Sequence, residues 1–128
     1  MMNKFLRAYI EAALWSSNDE SDESGGEPLD KNYGVEDLHP DTLAKMKADC
    51  EKFEADNAEL LTDENCLTRL DADEQAGHDF WLTRNGHGVG FWETSDWEKE
   101  AGRKLTDAAK KFGECHLYVG DDELIHLM

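Results

Sequence analysis

Apolar side chains recur at helical spacing near the start of the chain, between residues 2 and 15. The apolar positions there are Phe5, Leu6, Tyr9, Ile10, Ala13 and Leu14. Charged side chains, Lys4, Arg7 and Glu11, fall on the opposite side of the same wheel. This pattern predicts an amphipathic helix that packs one face on a core.

A second amphipathic helix is predicted from about Pro40 to Leu61, with Pro40 at its first position, where a missing N–H costs nothing. Its apolar stripe advances by alternating steps of three and four residues and is broken only at Asn57. The stripe comprises Leu43, Met46, Cys50, Phe53 and Leu60. A third helix is predicted over residues 98 to 112, with Gly113 as its C-cap.

Two other segments alternate as β-strands do. In residues 79 to 93, aromatic and aliphatic positions alternate around Asn85-Gly86, a strong signal for a tight turn, and predict a β-hairpin. Residues 115 to 128 predict a second hairpin that turns at Asp121-Asp122. Between the second helix and the first hairpin, a short helical turn is expected at Asp71 to Ala76, ended by Gly77.

These elements predict an α+β fold in the order α-α-β-β-α-β-β. We expect a small antiparallel four-stranded sheet of two hairpins, covered by about three helices. The length of 128 residues suits a single domain, residues 1 to 128. A flexible acidic linker is predicted at about residues 16 to 30, because "SSNDESDESGGEP" is too polar to bury apolar surface.

The charge balance limits the possible partners. The chain carries 30 acidic and 13 basic side chains, a formal net charge of -17, and the acidic excess lies mainly between residues 17 and 79. Direct binding to nucleic acid is not expected, since affinity for phosphates depends on cations. Acidic membrane surfaces are disfavoured for the same reason. A basic or nucleic-acid-binding protein is the partner that this charge favours.

The three cysteines, Cys50, Cys66 and Cys115, are an odd number without CxxC spacing, which is typical of reduced thiols. The N-terminal segment is interrupted by charges and resembles neither a membrane span nor a signal peptide. Together these features predict a cytoplasmic protein.

Nothing in the spacing indicates a catalytic centre or a cofactor. "NGHGVG" lacks the lysine and the following helix of a phosphate-binding loop. No HExxH or Cys/His metal spacing is present, so we expect no metal site, although His116 and His126 could approach each other on paired strands. The cysteines lie in no nucleophile signature, and with 30 acids any pair of carboxylates can arise by chance.

Two binding surfaces remain. The first is acidic: carboxylates along the second helix and its flanks could imitate phosphate charge and occlude a basic surface, although interspersed lysines weaken that match. Its candidate residues are Glu36, Asp37, Asp41, Asp49, Glu51, Glu54, Asp56 and Glu59. The alternative is a small-ligand or peptide site at the tip of the first hairpin, formed by Arg84, Asn85 and His87.

Three stretches carry a resemblance to a known group of proteins. "LHPDTLAKMKADCEKFEADNAELL", "EQAGHDFWLTRNGHGVGFW" and "KLTDAAKKFGECHLYVGDD" together cover roughly residues 38 to 122. They resemble small, mostly uncharacterised proteins of bacteriophages and prophages that carry a GHDFWLTRNGHG-type motif. The resemblance implies an infected or lysogenic bacterial cytoplasm and a role in host takeover, and it supplies no reaction.

The chain departs from that group near its C-terminus. Similar proteins tend to have glycine after the Asp-Asp pair and a tyrosine in the last strand, where this sequence has Glu123 and His126. Taken together, the sequence predicts a small acidic phage-type accessory protein that acts by protein binding. In the more specific form of this prediction, the protein is a DNA mimic that binds a host nucleic-acid-processing or defence protein.

Overall fold

Helices dominate the architecture. A computed structural model of the chain describes residues 3–19, 27–69, 71–87 and 90–127. The helices are α1 (Lys4–Ser16), α2 (Pro40–Asp56), α3 (Ala72–Arg84) and α4 (Lys99–Lys110). Two short antiparallel strand pairs accompany them: β1 (Asn18–Asp19) with β2 (Glu27–Pro28), and β3 (Leu117–Val119) with β4 (Ile125–Leu127). Single 3-10 turns occupy Leu29–Lys31 and Val35–Asp37.

Three predicted helices are confirmed, with small changes at their ends. α1 begins after Asn3, whose side-chain oxygen accepts the Leu6 N–H at 2.8 Å. α2 ends at Asp56, earlier than the predicted Leu61, because the Asn57 amide turns back to donate to the Phe53 carbonyl at 2.9 Å. α4 is followed by Gly113 at φ +76°, as expected of a glycine beyond a helix end.

The predicted hairpin at residues 79 to 93 is wrong, and the four-stranded sheet is wrong with it. Residues 72 to 84 form α3, and among the described residues the strands form two separate pairs that share no sheet. The observed order is α-β-β-α-α-α-β-β. The expected helical turn at Asp71 to Ala76 is the start of α3, which continues through Gly77.

The error has a physical cause in the burial of α3. Nearly every residue from Gln75 to Arg84 is buried, so the helix has no polar face that would give a period of 3.6. Asn85-Gly86 is the helix stop: Gly86 has φ +71° and donates to the Thr83 carbonyl at 3.2 Å, while His87 N–H reaches the Leu82 carbonyl at 3.0 Å. These two bonds form a Schellman motif, which uses the same residues as a tight hairpin turn.

The core centres on the contact between α1 and α3 and on a cluster of aromatic rings. Phe80 of α3 stacks on Phe53 of α2, with ring centroids 4.2 Å apart. The two helices α1 and α3 are in close contact at Gly77, where a Cβ atom would collide with the carbonyl oxygen of Phe5. A glycine is therefore needed at this position for close packing.

The predicted C-terminal hairpin is present as β3 and β4, and it is joined to the start of α2. Leu38 forms a bridge with Ile125, and the His39 N–H donates to the Ile125 carbonyl at 3.0 Å. Ile125 is fully buried. In the turn, Glu123 has φ +64°, a left-handed conformation that favours glycine.

The predicted linker at residues 16 to 30 falls partly on residues 20 to 26, which lie outside the described residues. On either side of them the chain is part of the fold: β1 pairs with β2, and the side chain of Leu29 is fully buried. No helix in the described part of the chain is both long enough and apolar enough to cross a membrane.

Candidate functional site

Arg84, predicted at an exposed tip, is buried at the end of α3, with 4% of its side chain exposed. Its Nη1 donates to Asp49 Oδ2 at 2.9 Å and to the Tyr9 hydroxyl at 3.1 Å. Its Nε and Nη2 donate to the carbonyls of Gly113 and Phe112, at 2.8 and 3.1 Å. The guanidinium thus connects α1, α2 and α3 with the segment that follows α4.

Asn85 and His87 are half-buried and also lie away from any hairpin tip. The Asn85 side chain bridges two segments: its amide donates to the Trp81 carbonyl at 3.0 Å, and its oxygen accepts the Cys115 N–H at 2.9 Å. His87 belongs to the Schellman motif through its backbone. The hairpin-tip ligand site therefore has no structural basis.

Other polar groups of the 77–88 motif also have internal partners. The buried Asp79 carboxylate accepts from Trp97 Nε1 at 2.8 Å and from the Gln75 amide at 3.0 Å. The Thr83 hydroxyl accepts the Phe91 N–H at 3.1 Å. These bonds stabilise α3 against the segment that follows it, so the motif specifies packing.

The predicted acidic residues divide into exposed and engaged groups. Five of them are exposed: Glu36, Asp41, Glu51, Asp56 and Glu59. Asp37 is half-buried and accepts the Gly34 N–H at 2.8 Å. Glu54 is half-buried beside Asn3, and burial raises the pKa of its carboxyl group.

Asp49 is an acidic residue whose exposure to solvent we predicted wrongly. We expected it on the solvent face, but it is only 8% exposed and is bonded to Arg84 and to Lys45, the latter at 2.9 Å. It lies next to Cys50 on the apolar side of α2. A buried ion pair of this kind is structural, since removing either partner would leave an uncompensated charge.

The lysines of α2 pair along the helix. Besides Lys45 with Asp49, Lys52 contacts Asp56 at 3.0 Å, and Lys47 lies 4.0 Å from Glu51. Exposed pairs with this spacing are weak, so the acids remain available to a partner.

The cysteines show no sign of an activated nucleophile. Burial raises the pKa of the Cys50 thiol far above its ordinary value. Burial also raises the pKa of Cys115, although the charge of Arg84 acts in the opposite direction. Cys66 is buried next to Thr68. Low-pKa thiols are the reactive ones, so this interior does not favour thiol catalysis.

Comparison with known proteins adds no relative. No protein-family model, curated protein or solved structure matches this chain.

One cluster of potential ligands was missed by sequence reasoning. His39, Asp122 and His126 come together where the C-terminal hairpin meets α2, with one ligand atom from each within 4.8 Å of the others. His126 Nε2 lies 3.0 and 3.1 Å from the two carboxylate oxygens of Asp122, and this hydrogen bond lowers the pKa of Asp122.

Spacing could not reveal this cluster, because two of its members are separated from the third by most of the chain. The sequence suggested that His126 could approach His116, but the residue opposite His126 is Tyr118.

Proposed function

We propose that this protein is a small acidic accessory protein that binds a basic surface of another protein through α2 and its flanking segments. The resemblance to bacteriophage and prophage proteins supports a setting in the cytoplasm of an infected or lysogenic bacterium. The partner in this proposal is a host nucleic-acid-processing or defence protein. Binding would compete with the partner's natural ligand.

The observation that carries the proposal is the set of exposed carboxylates on α2 and on the segments that flank it. We call this set the acidic face, and it consists of Glu36, Asp41, Glu51, Asp56 and Glu59. The net charge of -17 adds a long-range attraction for a cationic partner. Such attraction speeds association and weakens as salt screens it.

The nucleic-acid mimic is the more specific form of this proposal. At 100° per residue, Asp41 and Asp56 lie along one edge of the exposed side of α2, and Glu51 lies along the other edge, next to the half-buried Glu54. Two edges of carboxylates suit a groove that normally holds two strands. Three lysines of α2 interrupt these rows of carboxylates. We therefore propose occlusion of a basic surface as the function, and mimicry of nucleic acid as a more specific form of it.

The interior offers less support for other functions. Arg84, Asp79 and Thr83 are hydrogen-bonded within the fold, and no buried side-chain nitrogen or oxygen in the described ranges lacks a partner. A catalytic centre usually holds a polar group free for the substrate. Binding through the surface therefore fits this chain better than catalysis in the core.

A pull-down from bacterial lysate at low and high salt tests the proposal. The wild-type chain should retain a basic or nucleic-acid-binding protein at low salt and release it at high salt. The test variant changes all five residues of the acidic face to their amides, and it should lose that protein at both salt concentrations.

A matched control separates a specific face from total charge. The control variant changes five exposed acids elsewhere to amides: Glu11, Asp73, Asp107, Glu114 and Asp121. Both variants gain the same charge, so only a specific face predicts that the control still retains the partner. Equal loss from both variants, or no basic protein retained by the wild type, would refute the proposal.

A further inference from the structure

Two histidines and an aspartate from distant parts of the chain meet beside the C-terminal hairpin. His39 is the N-cap of α2, Asp122 lies in the turn of the hairpin, and His126 lies in β4. We propose that these three side chains form a binding site for a zinc-class divalent transition-metal ion. This inference does not depend on whether the acidic face binds a partner, although Asp41 belongs to that face and also lies beside His39.

The donor set matches the chemistry of such an ion. Two imidazole nitrogens and one carboxylate oxygen are common ligands of zinc, and a fourth position can hold water. Ligands of a tetrahedral zinc ion lie about 3.4 Å apart. His126 Nε2 and the Asp122 oxygens, at 3.0 and 3.1 Å, are already near that separation. Since all three ligand atoms lie within 4.8 Å, closure needs side-chain shifts of roughly 1 Å.

The side chains are held in place before any ion binds. The Asp122 carboxylate accepts the Leu124 N–H at 3.0 Å, which fixes it in the turn. The His126 ring packs against two other rings, with its centroid 4.8 Å from that of His39 and 5.4 Å from that of Tyr118. A site on packed elements loses little freedom when it binds its ion.

His39 has one nitrogen available and a nearby carboxylate to support it. Its Nδ1 accepts the Asp41 N–H at 3.1 Å, which places the ring proton on Nε2. Binding of an ion at Nε2 moves that proton to Nδ1 and breaks this cap bond. The Asp41 carboxylate, 3.8 Å from Nδ1, can then accept the proton's hydrogen bond, as carboxylates beside metal-bound histidines commonly do.

The site is open to solvent on one side. The side chains of His39, Asp122 and His126 are 30%, 45% and 24% exposed. His39 and His126 line a cleft of about 450 Å³ that also includes Lys45, whose ammonium group is bonded to Asp49. An ion can therefore enter without opening the core, and it would join the hairpin to the start of α2.

The test is titration of the untagged full chain with zinc chloride by calorimetry and with cobalt chloride by visible absorption. We expect one ion per chain, tetrahedral cobalt bands without thiolate charge-transfer absorption, and a higher melting temperature with zinc. His126→Gln and Asp122→Asn should each weaken binding by more than about 100-fold, beyond the usual effect of an outer-shell partner.

Two further variants keep the test decisive if those chains are destabilised. His39→Asn preserves a side-chain cap for α2 while removing the imidazole, so it should fold and lose the ion. His116→Ala removes an exposed histidine outside the cluster and should bind as the wild type does. Binding that survives His39→Asn, a thiolate band with cobalt, or no one-to-one binding by the wild type would each overturn the proposal.

Discussion

At the scale of single residues, Arg84 was predicted to bind a ligand, but in the structure it holds parts of the fold together. The sequence suggested a ligand-binding arginine at a loop tip, whereas its donors contact Asp49, Tyr9 and two carbonyls at the end of another segment. Long-range pairing of this kind leaves no mark on local spacing. Its partners lie 35 and 75 residues away.

Replacement of Arg84 by methionine should destabilise the fold by about 3 to 5 kcal/mol, because it leaves Asp49 buried without its main partner. Equilibrium unfolding in urea measures this loss. Arg103→Met is the matched control, since Arg103 is exposed and its ion-pair partner Glu100 is exposed too, and it should leave the unfolding midpoint unchanged. Equal effects of the two substitutions would show that the Arg84 network carries little stability.

Glu123 occupies a backbone conformation that favours glycine. Its φ is +64°, in the left-handed region. Glu123→Gly should raise the free energy of unfolding by about 0.5 to 1 kcal/mol through relief of this strain. Asp121→Gly, at a neighbouring position without a positive φ, should lower it. Thermal unfolding of both variants tests this prediction. A stabilising effect of Asp121→Gly would count against backbone strain at Glu123 as the cause.

Thiol chemistry can also be tested at single residues. Because burial raises the pKa of Cys50 and Cys115, we expect the native chain to react with iodoacetamide far more slowly at pH 8 than free cysteine does. Mass spectrometry after timed quenching measures the rate, and the urea-unfolded chain provides the control. A thiol that reacts faster in the native chain would reopen the possibility of thiol catalysis.

At the scale of elements, a helix could be predicted from the sequence when one of its faces is exposed to solvent. α1, α2 and α4 each have a solvent face, so the alternation of apolar and polar residues marked them in the sequence. α3 is buried on nearly all sides, and its aromatic residues are common in strands, so local pattern favoured a hairpin. Tertiary packing, which the pattern does not contain, decided the outcome.

The contact between α1 and α3 gives an element-scale prediction. Gly77→Ala should destabilise the fold by about 1 to 3 kcal/mol or more, since the new Cβ atom meets the Phe5 carbonyl and the helices must separate. Gly34→Ala is the control, because its Cβ atom would meet only the flexible end of Glu36. Equilibrium unfolding in urea measures the free energy of unfolding of both variants. A tolerated Gly77→Ala would mean that the helices are less closely packed than described.

At the scale of the whole molecule, composition suggests a kind of partner and does not determine the fold. The net charge of -17 favours basic proteins whichever way the chain folds. Folding then selects which carboxylates are available: it removes Asp49 from the surface and leaves the acidic face exposed. The sequence therefore predicted most of the candidate surface, but only the structure could separate Asp49 from its neighbours.

The salt dependence of affinity for the retained partner tests the central claim most directly. It should be measured for the wild-type chain, the acidic-face amide variant and the matched control variant. We predict that the wild type and the control lose affinity steeply as salt rises, while the acidic-face variant binds weakly throughout with a shallower slope. Affinity that is independent of salt, or equal slopes for the two variants, would contradict the claim that the acidic face binds a basic partner.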